Sequence, residues 1–454
     1  MARASGRTVR DLRRENRAAV LQRLYFDGPM SRVALGSATG LSSGSVSNVV
    51  AELLAEGLVE EAGSLGADGG RPRTLVRIAA GRGRLIGVDV GETRVRVELF
   101  DLSMAELART ERWLSGHGIR SYDVGAVAVA GHILDGIAEV LDAAGGGRGS
   151  GDLLGVGVGV PGIVEHTADG TLVHGQTIGW DAVPLERLLR SSGRLPVHVP
   201  LFIDNGAKTL GQAEMWFGGG RGAHNAVVVL FGSGVGACVV THDVEQGRAV
   251  EWGHLTVRVR GRRCRCGARG CLEAYAGAEA LLARWREAGG RPPSGTDDEE
   301  AALTDMLRAA HPPDGREPDP VAARVLAETA EYLGAGLSDL INLFQPERIL
   351  VGGWAGLQLG RGFLESVRTH AYAHALRHPA GRVGITLGRL GPEAVTVGAA
   401  VLPLAAFFAR GGHRAPVGSP ARPPAWRTAL GDRLAGTGQR TGRDERPEGR
   451  ARVP

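Results

Sequence analysis

The chain has 454 residues, of which 43% are hydrophobic and 22% are charged, so it can form more than one folded domain. This balance excludes global disorder, and the 71 glycines follow no Gly-X-Y period, which excludes a collagen-like fibre. The formal net charge of +4 is uneven: residues 1–80 carry +3 and residues 410–454 carry +6, so the stretch between them is acidic. Basic ends can meet phosphate groups, although charge alone does not establish nucleic-acid binding.

The N-terminus indicates the cellular location of the protein, and two polar segments are expected to lie at its surface. The charged N-terminus lacks the apolar run of a signal peptide, and no stretch of about 18 apolar residues follows, so we expect a cytoplasmic protein without membrane contact. Residues 410–454 are rich in Pro, Gly and Arg, which predicts a disordered basic tail, either merely solvated or with nonspecific DNA affinity. The segment 289–320 is expected to be a surface insertion around a short helix.

Residues 1–80 predict a DNA-binding domain. Apolar residues in 12–27 have a helical rhythm, Ser31 can cap a second helix that ends at Gly40, and Ser42 can cap a third. This order is the helix-turn-helix pattern. Short polar side chains begin the third helix, where a recognition helix meets base edges and phosphates. The candidate DNA-binding residues on this helix are Ser43, Ser45, Ser47 and Asn48.

A predicted hairpin follows the third helix. The segments LVEEAG and TLVRIA read as two strands joined by SLGADGGRPR, which is typical of a wing. Arg71 and Arg73 flank Pro72 at the base of this wing, where guanidinium groups could lie in a minor groove or on the backbone. The alternative is a small helical interaction module.

Three glycine-rich turns between predicted strands suggest a nucleotide-binding ancestry. In a two-lobed ATPase fold the first two turns would surround the nucleotide phosphates, with an aspartate near the metal, and the third would flank the adenine. Each turn alone is a weak signal, but their order is more specific. The residues concerned are Asp89, Gly91 and Thr93 in the first turn, Gly232, Gly234 and Gly236 in the second, and Gly352 in the third.

Clustered cysteines indicate a metal site. Cys264, Cys266 and Cys271 lie within eight residues, and His254 precedes Cys264 by ten. Three thiolates and one imidazole give the tetrahedral shell of a structural zinc site; reduced thiols without metal are the alternative. Cys238 lies in a strand that is expected to be buried, as a small apolar filler.

Residues 12 to about 408 resemble the ROK family of repressors, open reading frames and sugar kinases. The motifs that carry the resemblance are DVGETRVRVELFD, GVGVGVPGIVE, GSGVGACVV, EWGHLTV and CRCGARGCLEAYAG. It implies an α/β fold: an N-terminal winged helix-turn-helix followed by a two-lobed actin-like sugar-kinase domain over 81–409, with lobes of about 81–200 and 201–409. Family members with a winged helix are usually sugar-responsive transcription regulators.

The resemblance also implies a sugar site beside the zinc. In ROK sugar kinases the residues that match Glu251, His254 and Glu273 contact sugar hydroxyls. Carboxylates accept hydrogen bonds from hydroxyls, and an imidazole can use one nitrogen while the other holds metal. Gly162 and Asn205 belong to the same predicted site. Both glutamates could instead be simple surface charges.

The position of the catalytic base differs from the family pattern. In ROK kinases an Asp in an Asn-Asp-x-Asn segment accepts the hydroxyl proton, and here Gly206 takes its place. Loss of a general base typically costs roughly 100- to 10,000-fold in rate. Asp204 is an alternative base, but in a strand it would lie about 6.6 Å further back. Glu92 replaces a glycine of the first turn, and its negative charge disfavours ATP.

Lys208, the only lysine, falls on the second Asn of the kinase segment. It can pair with Asp204 at i, i−4, or its ammonium can contact an anionic sugar ligand.

The sequence therefore predicts a zinc-containing, sugar-responsive regulator that binds double-stranded operator DNA as a homodimer or dimer of dimers and has no kinase activity. The alternatives are an ATP-dependent sugar kinase with an accessory DNA-binding domain and a DNA-binding protein without a ligand.

Overall fold

The computed structural model describes residues 8–66, 72–114, 125–145, 153–167, 170–241, 243–292, 298–313 and 315–414. Three helices begin the chain: α1 (Val9–Asp27), α2 (Arg32–Thr39) and α3 (Ser43–Ala55). The predicted caps are confirmed, because Ser31 accepts from the Ala34 amide, Ser42 accepts from the Ser45 amide, and Gly40 ends α2 in the left-handed conformation.

The predicted wing is confirmed as a hairpin of β2 (Val59–Leu65) and β3 (Arg73–Ile78). A short strand, β1 (Met30–Ser31), pairs with the other edge of β3, so the sheet order is β1-β3-β2. Three helices with this small sheet form the expected winged helix-turn-helix. We refer to residues 8–78 as the head.

A five-stranded sheet forms the first lobe. Its strands are β4 (Arg84–Val90), β5 (Arg94–Asp101), β6 (Glu106–Trp113), β7 (Leu153–Val160) and β11 (Leu201–Asn205), in the order β11-β7-β4-β5-β6. Helix α4 (Ala126–Ala143) packs on β5 and β6. A small sheet of β8 (Ile163–Thr167), β9 (Gly170–Gly175) and β10 (Trp180–Val183) follows, with α5 (Leu185–Ser191) beside it.

The second lobe is built on another five-stranded sheet. Its strands are β12 (Asn225–Phe231), β13 (Val235–Thr241), β14 (Asp243–Val250), β15 (Arg348–Gly352) and β16 (Gly384–Leu387), in the order β14-β13-β12-β15-β16. Its helices are α7 (Glu273–Ala276), α8 (Ala278–Glu287), α9 (Glu299–Ala310), α10 (Pro320–Phe344), α11 (Trp354–His374) and α12 (Arg377–Ala380). Cys238 is buried in β13, as predicted.

Helices α6 (Gly206–Phe217) and α13 (Ala394–Ala409) lie between the two sheets and pack on each other. Glycines allow this close packing: a Cβ at Gly157 would lie 1.8 Å from the Ala399 carbonyl oxygen, and one at Gly398 would lie 1.8 Å from the Thr209 carbonyl oxygen. Two sheets joined by central helices form the predicted two-lobed, actin-like fold. No described helix is long and apolar enough to span a membrane.

Two stretches differ from the sequence-based expectations. Helix α9 lies within the predicted surface insertion, yet Leu303 and Met306 are fully buried in the core of the second lobe. The predicted tail begins at residue 410, but Gly411 already accepts a hydrogen bond from the buried Arg17 of α1 at 2.7 Å. Residues 415–454 lie outside the described residues.

Candidate effector site and metal centre

The four predicted metal ligands come together in one loop. The ligand atoms of His254, Cys264, Cys266 and Cys271 all lie within 4.8 Å of one another. Tight turns hold the loop, because the Cys264 amide donates to the Ala268 carbonyl at 2.8 Å. At Gly270 φ is +80° and a Cβ would lie 1.9 Å from a backbone oxygen, so only glycine fits there.

The donor set fits a soft divalent cation in tetrahedral coordination. His254 Nδ1 lies 3.7 Å from Cys264 Sγ, and Cys266 Sγ lies 3.8 Å from Cys271 Sγ. Burial raises the pKa of the Cys264 thiol, which favours the neutral form away from water. A cation would reverse that preference, since a coordinating thiol is deprotonated outright.

The histidine also faces the predicted sugar-binding carboxylates. With Nδ1 towards Cys264, its Nε2 lies 3.9 Å from a carboxylate oxygen of Glu251. Burial raises the pKa of Glu251, and the neighbouring His254 opposes that shift. Glu273 is buried, and its oxygens contact the Val235 amide at 3.2 Å and the Arg265 guanidinium at 3.2 Å. Glu251 and His254 are therefore better exposed to a ligand than Glu273.

Asn205 and Gly162 form the other part of the predicted sugar site. Asn205 Nδ2 donates to the Gly162 carbonyl at 2.6 Å, while its Oδ1 caps α6 by accepting from the Ala207 and Lys208 amides. Gly162 has φ +84°, and a Cβ there would lie 2.2 Å from the His174 carbonyl oxygen. This contact fixes the start of α6 against the first lobe.

An ion pair lies in the segment where a kinase would have its catalytic base. The Lys208 ammonium contacts the Asp204 carboxylate, as one of the two interpretations of the sequence predicts. The other Asp204 oxygen accepts from the Asn205 amide at 2.9 Å. Both oxygens of Asp204 are thus engaged, which argues against its use as a substitute base.

The first two glycine turns face side chains of the protein itself. Arg265, between two of the candidate metal-binding cysteines, pairs across the lobes with Glu92 and lies 3.2 Å from Glu273. A Cβ at Gly234 would lie 2.2 Å from a Glu273 oxygen. The Ser233 hydroxyl donates to Glu299, whose pKa burial raises to about 7. The sequence singles out Glu92 but not its partner Arg265, because their contact joins two lobes that are 173 positions apart in the chain.

A second cross-lobe ion pair joins Arg94 of β5 to Glu300 of α9. Asp89 lies nearby, and burial raises its pKa to about 6, partly opposed by the charges of Arg96 and Arg94.

In the third turn, Gly353 has φ +84°, and a Cβ there would lie 2.5 Å from the Phe231 carbonyl oxygen. Glycine loops therefore persist, but carboxylates and guanidinium groups surround the first two.

The head exposes four of the six predicted DNA-binding residues. Ser43, Ser47 and Asn48 are exposed on α3, and Ser45 is half-buried because it contacts Ser42. Arg73 is exposed at the start of β3. Arg71 lies outside the described residues.

Comparison with known proteins agrees with this architecture. A profile of the ROK family matches residues 85–406. The chain belongs to the ROK family. A xylose repressor of Caldicellulosiruptor bescii is 28% identical over 369 residues, which cover 79% of this chain and 87% of that protein. A glucokinase of Halalkalibacterium halodurans is 32% identical over 328 residues, which cover 69% of this chain and 92% of that protein.

The ROK fold also appears among solved structures. A ROK family transcriptional regulator, described as a homologue of the E. coli MLC protein, matches with a TM-score of 0.67 and 23% identity. The match covers 88% of this chain and 98% of that one. It supports the whole fold of this ROK protein, because its coverage extends well beyond the 85–406 segment.

Proposed function

We propose that this ROK protein is a sugar-responsive, DNA-binding transcription regulator, most simply a repressor, whose sensor domain binds a sugar without phosphorylating it. One observation carries the proposal: α3 exposes Ser43, Ser47 and Asn48 on its outer face, while its inner face belongs to an apolar core that continues into the ROK domain. A DNA-binding head joined to a ligand-binding fold is more typical of a regulator than of an enzyme. The xylose repressor relative supports the same choice.

The proposed effector site has two sides. Glu251 would accept hydrogen bonds from vicinal hydroxyls of the sugar, and His254 would donate or accept one. Asn205, with the backbone at Gly162, would contact the sugar from the opposite lobe. Lys208 is proposed to add a positive charge, and Glu273 to position Arg265. A zinc ion held by His254 and the three cysteines would neutralise the thiolates and fix the loop that presents these groups.

Two features argue that no phosphoryl transfer occurs. Gly206 cannot accept a proton, and Asp204 is already paired with Lys208. In addition, Glu92 and Glu299 place carboxylates beside the first two glycine turns. Nucleotide phosphates would have to displace the pair of Glu92 with Arg265 and would meet the Glu299 carboxylate in a partly buried space, where repulsion is poorly screened.

The proposal is tested by a thermal-shift screen on the purified protein, because a ligand that binds only the folded state raises the Tm. D-xylose, D-glucose, N-acetyl-D-glucosamine and their phosphates form the panel. A duplex selected from random DNA then serves as operator. We expect one sugar to raise the Tm and to change DNA affinity, with DNA changing sugar affinity by the same factor. Identical affinities in both titrations would contradict the proposed regulation.

A sugar kinase is the second candidate, favoured by the glucokinase relative and the retained glycine loops. A coupled assay of ADP release over the same sugars decides between the two. Turnover above about 1 s⁻¹, within the ordinary range of enzymes, would establish the kinase.

For the assembly, we propose a homodimer or dimer of dimers, because paired heads read paired half-sites. An operator with dyad symmetry is the expected outcome of the DNA selection.

A further inference from the structure

The head and the ROK domain share one apolar core. Buried residues of the head, including Leu21, Leu24 and Leu53, form a single cluster with Phe407 and Phe408 of α13 and with Trp216 of α6. Buried contacts of this kind are close-packed and transmit displacement. The head is therefore attached through two helices of the sensor domain as well as through the chain connection at residues 79–83.

The first attachment joins α1 to the residues after α13. Arg17 is 2% exposed and donates to the Gly411 carbonyl at 2.7 Å. The same guanidinium pairs with Glu52 and Glu56 at the end of α3. This attachment holds the first half of α1 to the end of α13.

The second attachment joins the last turn of α1 to the end of α6. The Trp216 ring lies edge-on to Phe26, with 5.0 Å between centroids, and 6.2 Å from Tyr25. Arg221 donates to the Phe26 carbonyl at 2.7 Å, and its guanidinium lies 5.7 Å from the centre of the Phe26 ring. A groove of about 600 Å³ opens beside this contact between α1, α2 and α6. The contact between α1 and α6 therefore borders open space on that side.

The other end of α6 lies in the candidate effector site. Its cap, Asn205, bonds Gly162, and Lys208 in its first turn pairs with Asp204. The 12 residues of α6 form a rod of about 18 Å. Ten of them are buried, and the buried Glu214 accepts bonds from the amides of Gly219, Arg389 and Leu390. Such a helix moves as a unit.

We infer that α6 is a lever that couples the effector site to the DNA-binding head. Arg17 and Phe26, the outermost of these contacts on α1, are nine residues or about 13 Å apart. Tyr25 also contacts Phe408 of α13, with 5.1 Å between the ring centroids. A shift of α6 relative to α13 would therefore strain α1, which both helices hold, and packed interfaces convert small shifts of this kind into discrete rearrangements. The inference rests on the proposed function, because it assigns the route by which that site regulates DNA binding.

A ligand-free experiment tests the lever. Asn205→Ala removes the cap of α6 at the effector end, and amide hydrogen exchange is followed in residues 20–27 of the head. Asp319→Ala is the matched control, because it removes the same kind of cap from α10, where Asp319 accepts from the Val321 amide. We expect the exchange rate of the backbone amides of residues 20–27 to rise about fivefold in Asn205→Ala, because a lost N-cap costs about 1 kcal/mol. The rate in these residues should stay unchanged in the control.

A second pair of variants tests the contact at the head. Arg221→Ala, in the background of Asn205→Ala, should reduce the response of residues 20–27. Arg348→Ala is its control, because the hydrogen bonds of Arg348 among the described residues go to the Gly219 and Arg221 carbonyls and not to the head. Unchanged exchange in 20–27 for Asn205→Ala, with faster exchange in α6 itself, would overturn the lever. If instead no sugar raises the Tm, the effector class is wrong, while the exchange comparison still decides the coupling.

Discussion

Arg265 pairs with Glu92 across the two lobes, although 173 positions separate them in the chain. Arg265 lies in the metal loop and Glu92 in the first glycine turn, where the family pattern has a glycine. The charge of Arg265 lowers the pKa of Glu92, while burial raises it more strongly. The pair therefore joins the loop of the candidate metal ligands directly to the first glycine turn.

Arg265→Gln should destabilise the folded protein, because it leaves the Glu92 and Glu273 carboxylates without their cationic partner. Glu92 and Arg265 are 18% and 13% exposed, so the loss is expected to be about 3 kcal/mol, the cost of removing one partner of a buried ion pair. Thermal unfolding measures it. Glu60→Gln is the control: it breaks the exposed pair with Arg77 and should leave the Tm unchanged. Equal Tm values for both variants would show that the cross-lobe pair contributes nothing.

Metal binding should depend on the three loop cysteines and not on Cys238. Cys266→Ser is expected to lose most of the zinc that the purified wild-type chain retains, and to unfold at a lower temperature. Elemental analysis of dialysed protein gives the metal per chain. Cys238→Ser, in the core of β13, should keep its metal content. A wild-type protein that holds no zinc after expression in zinc-supplemented medium would disprove the site.

Glu98 should make stability depend on pH. It is 2% exposed in β5, and burial raises its pKa from 4.5 to about 7, against a hydrogen bond from Thr396. The folded state holds the proton more tightly than the unfolded chain, so stability is expected to fall as pH rises from about 4.5 to 7. Over this interval of about 2.5 pH units, the loss is on the order of 3 kcal/mol.

Glu98→Gln has no charge to bury and should remove this loss. Urea unfolding at pH 5 and pH 8 should show the variant equal to wild type at pH 5 and more stable at pH 8. Glu106→Gln, at an exposed position of β6, is the matched control and should follow the wild-type curve. A variant less stable than wild type at pH 8 would mean that Glu98 is stabilising as an ion.

Local signals made the head and the metal loop predictable. Ser31, Ser42 and Gly40 set helix ends through bonds within a few residues, so their pattern is visible in sequence. The cysteine spacing is similarly local. The partner of Arg265 and the Trp216–Phe26 contact could not be predicted, because each depends on how distant elements pack. The polar flanks of α9 predict a surface segment, although the inner face of the helix is apolar and buried.

Arg73 is expected to contact a DNA phosphate or minor groove from the base of the wing. Arg73→Ala should weaken binding to all duplexes to a similar extent and reduce the slope of log K against log salt by about 1. Fluorescence anisotropy over a range of NaCl concentrations measures the slope. Arg361→Ala removes an exposed arginine from α11, far from the head in the chain, and should leave the slope unaltered. A loss confined to one sequence would indicate base recognition instead.

Gly206→Asp restores the carboxylate of the kinase pattern and separates the missing base from the other obstacles to catalysis. The position can hold a side chain, since an added Cβ has its nearest neighbours at 3.7 Å. An acidic side chain in the first turn of α6 also interacts favourably with the helix dipole. Gly206 is buried, so desolvation of the new carboxylate opposes that gain, and we expect a folded protein with an unchanged or slightly lower Tm. ADP release should nevertheless stay at background, because Glu92, Arg265 and Glu299 still surround the first two glycine turns. Sugar-dependent turnover in this variant would instead identify Gly206 as the only barrier to phosphorylation.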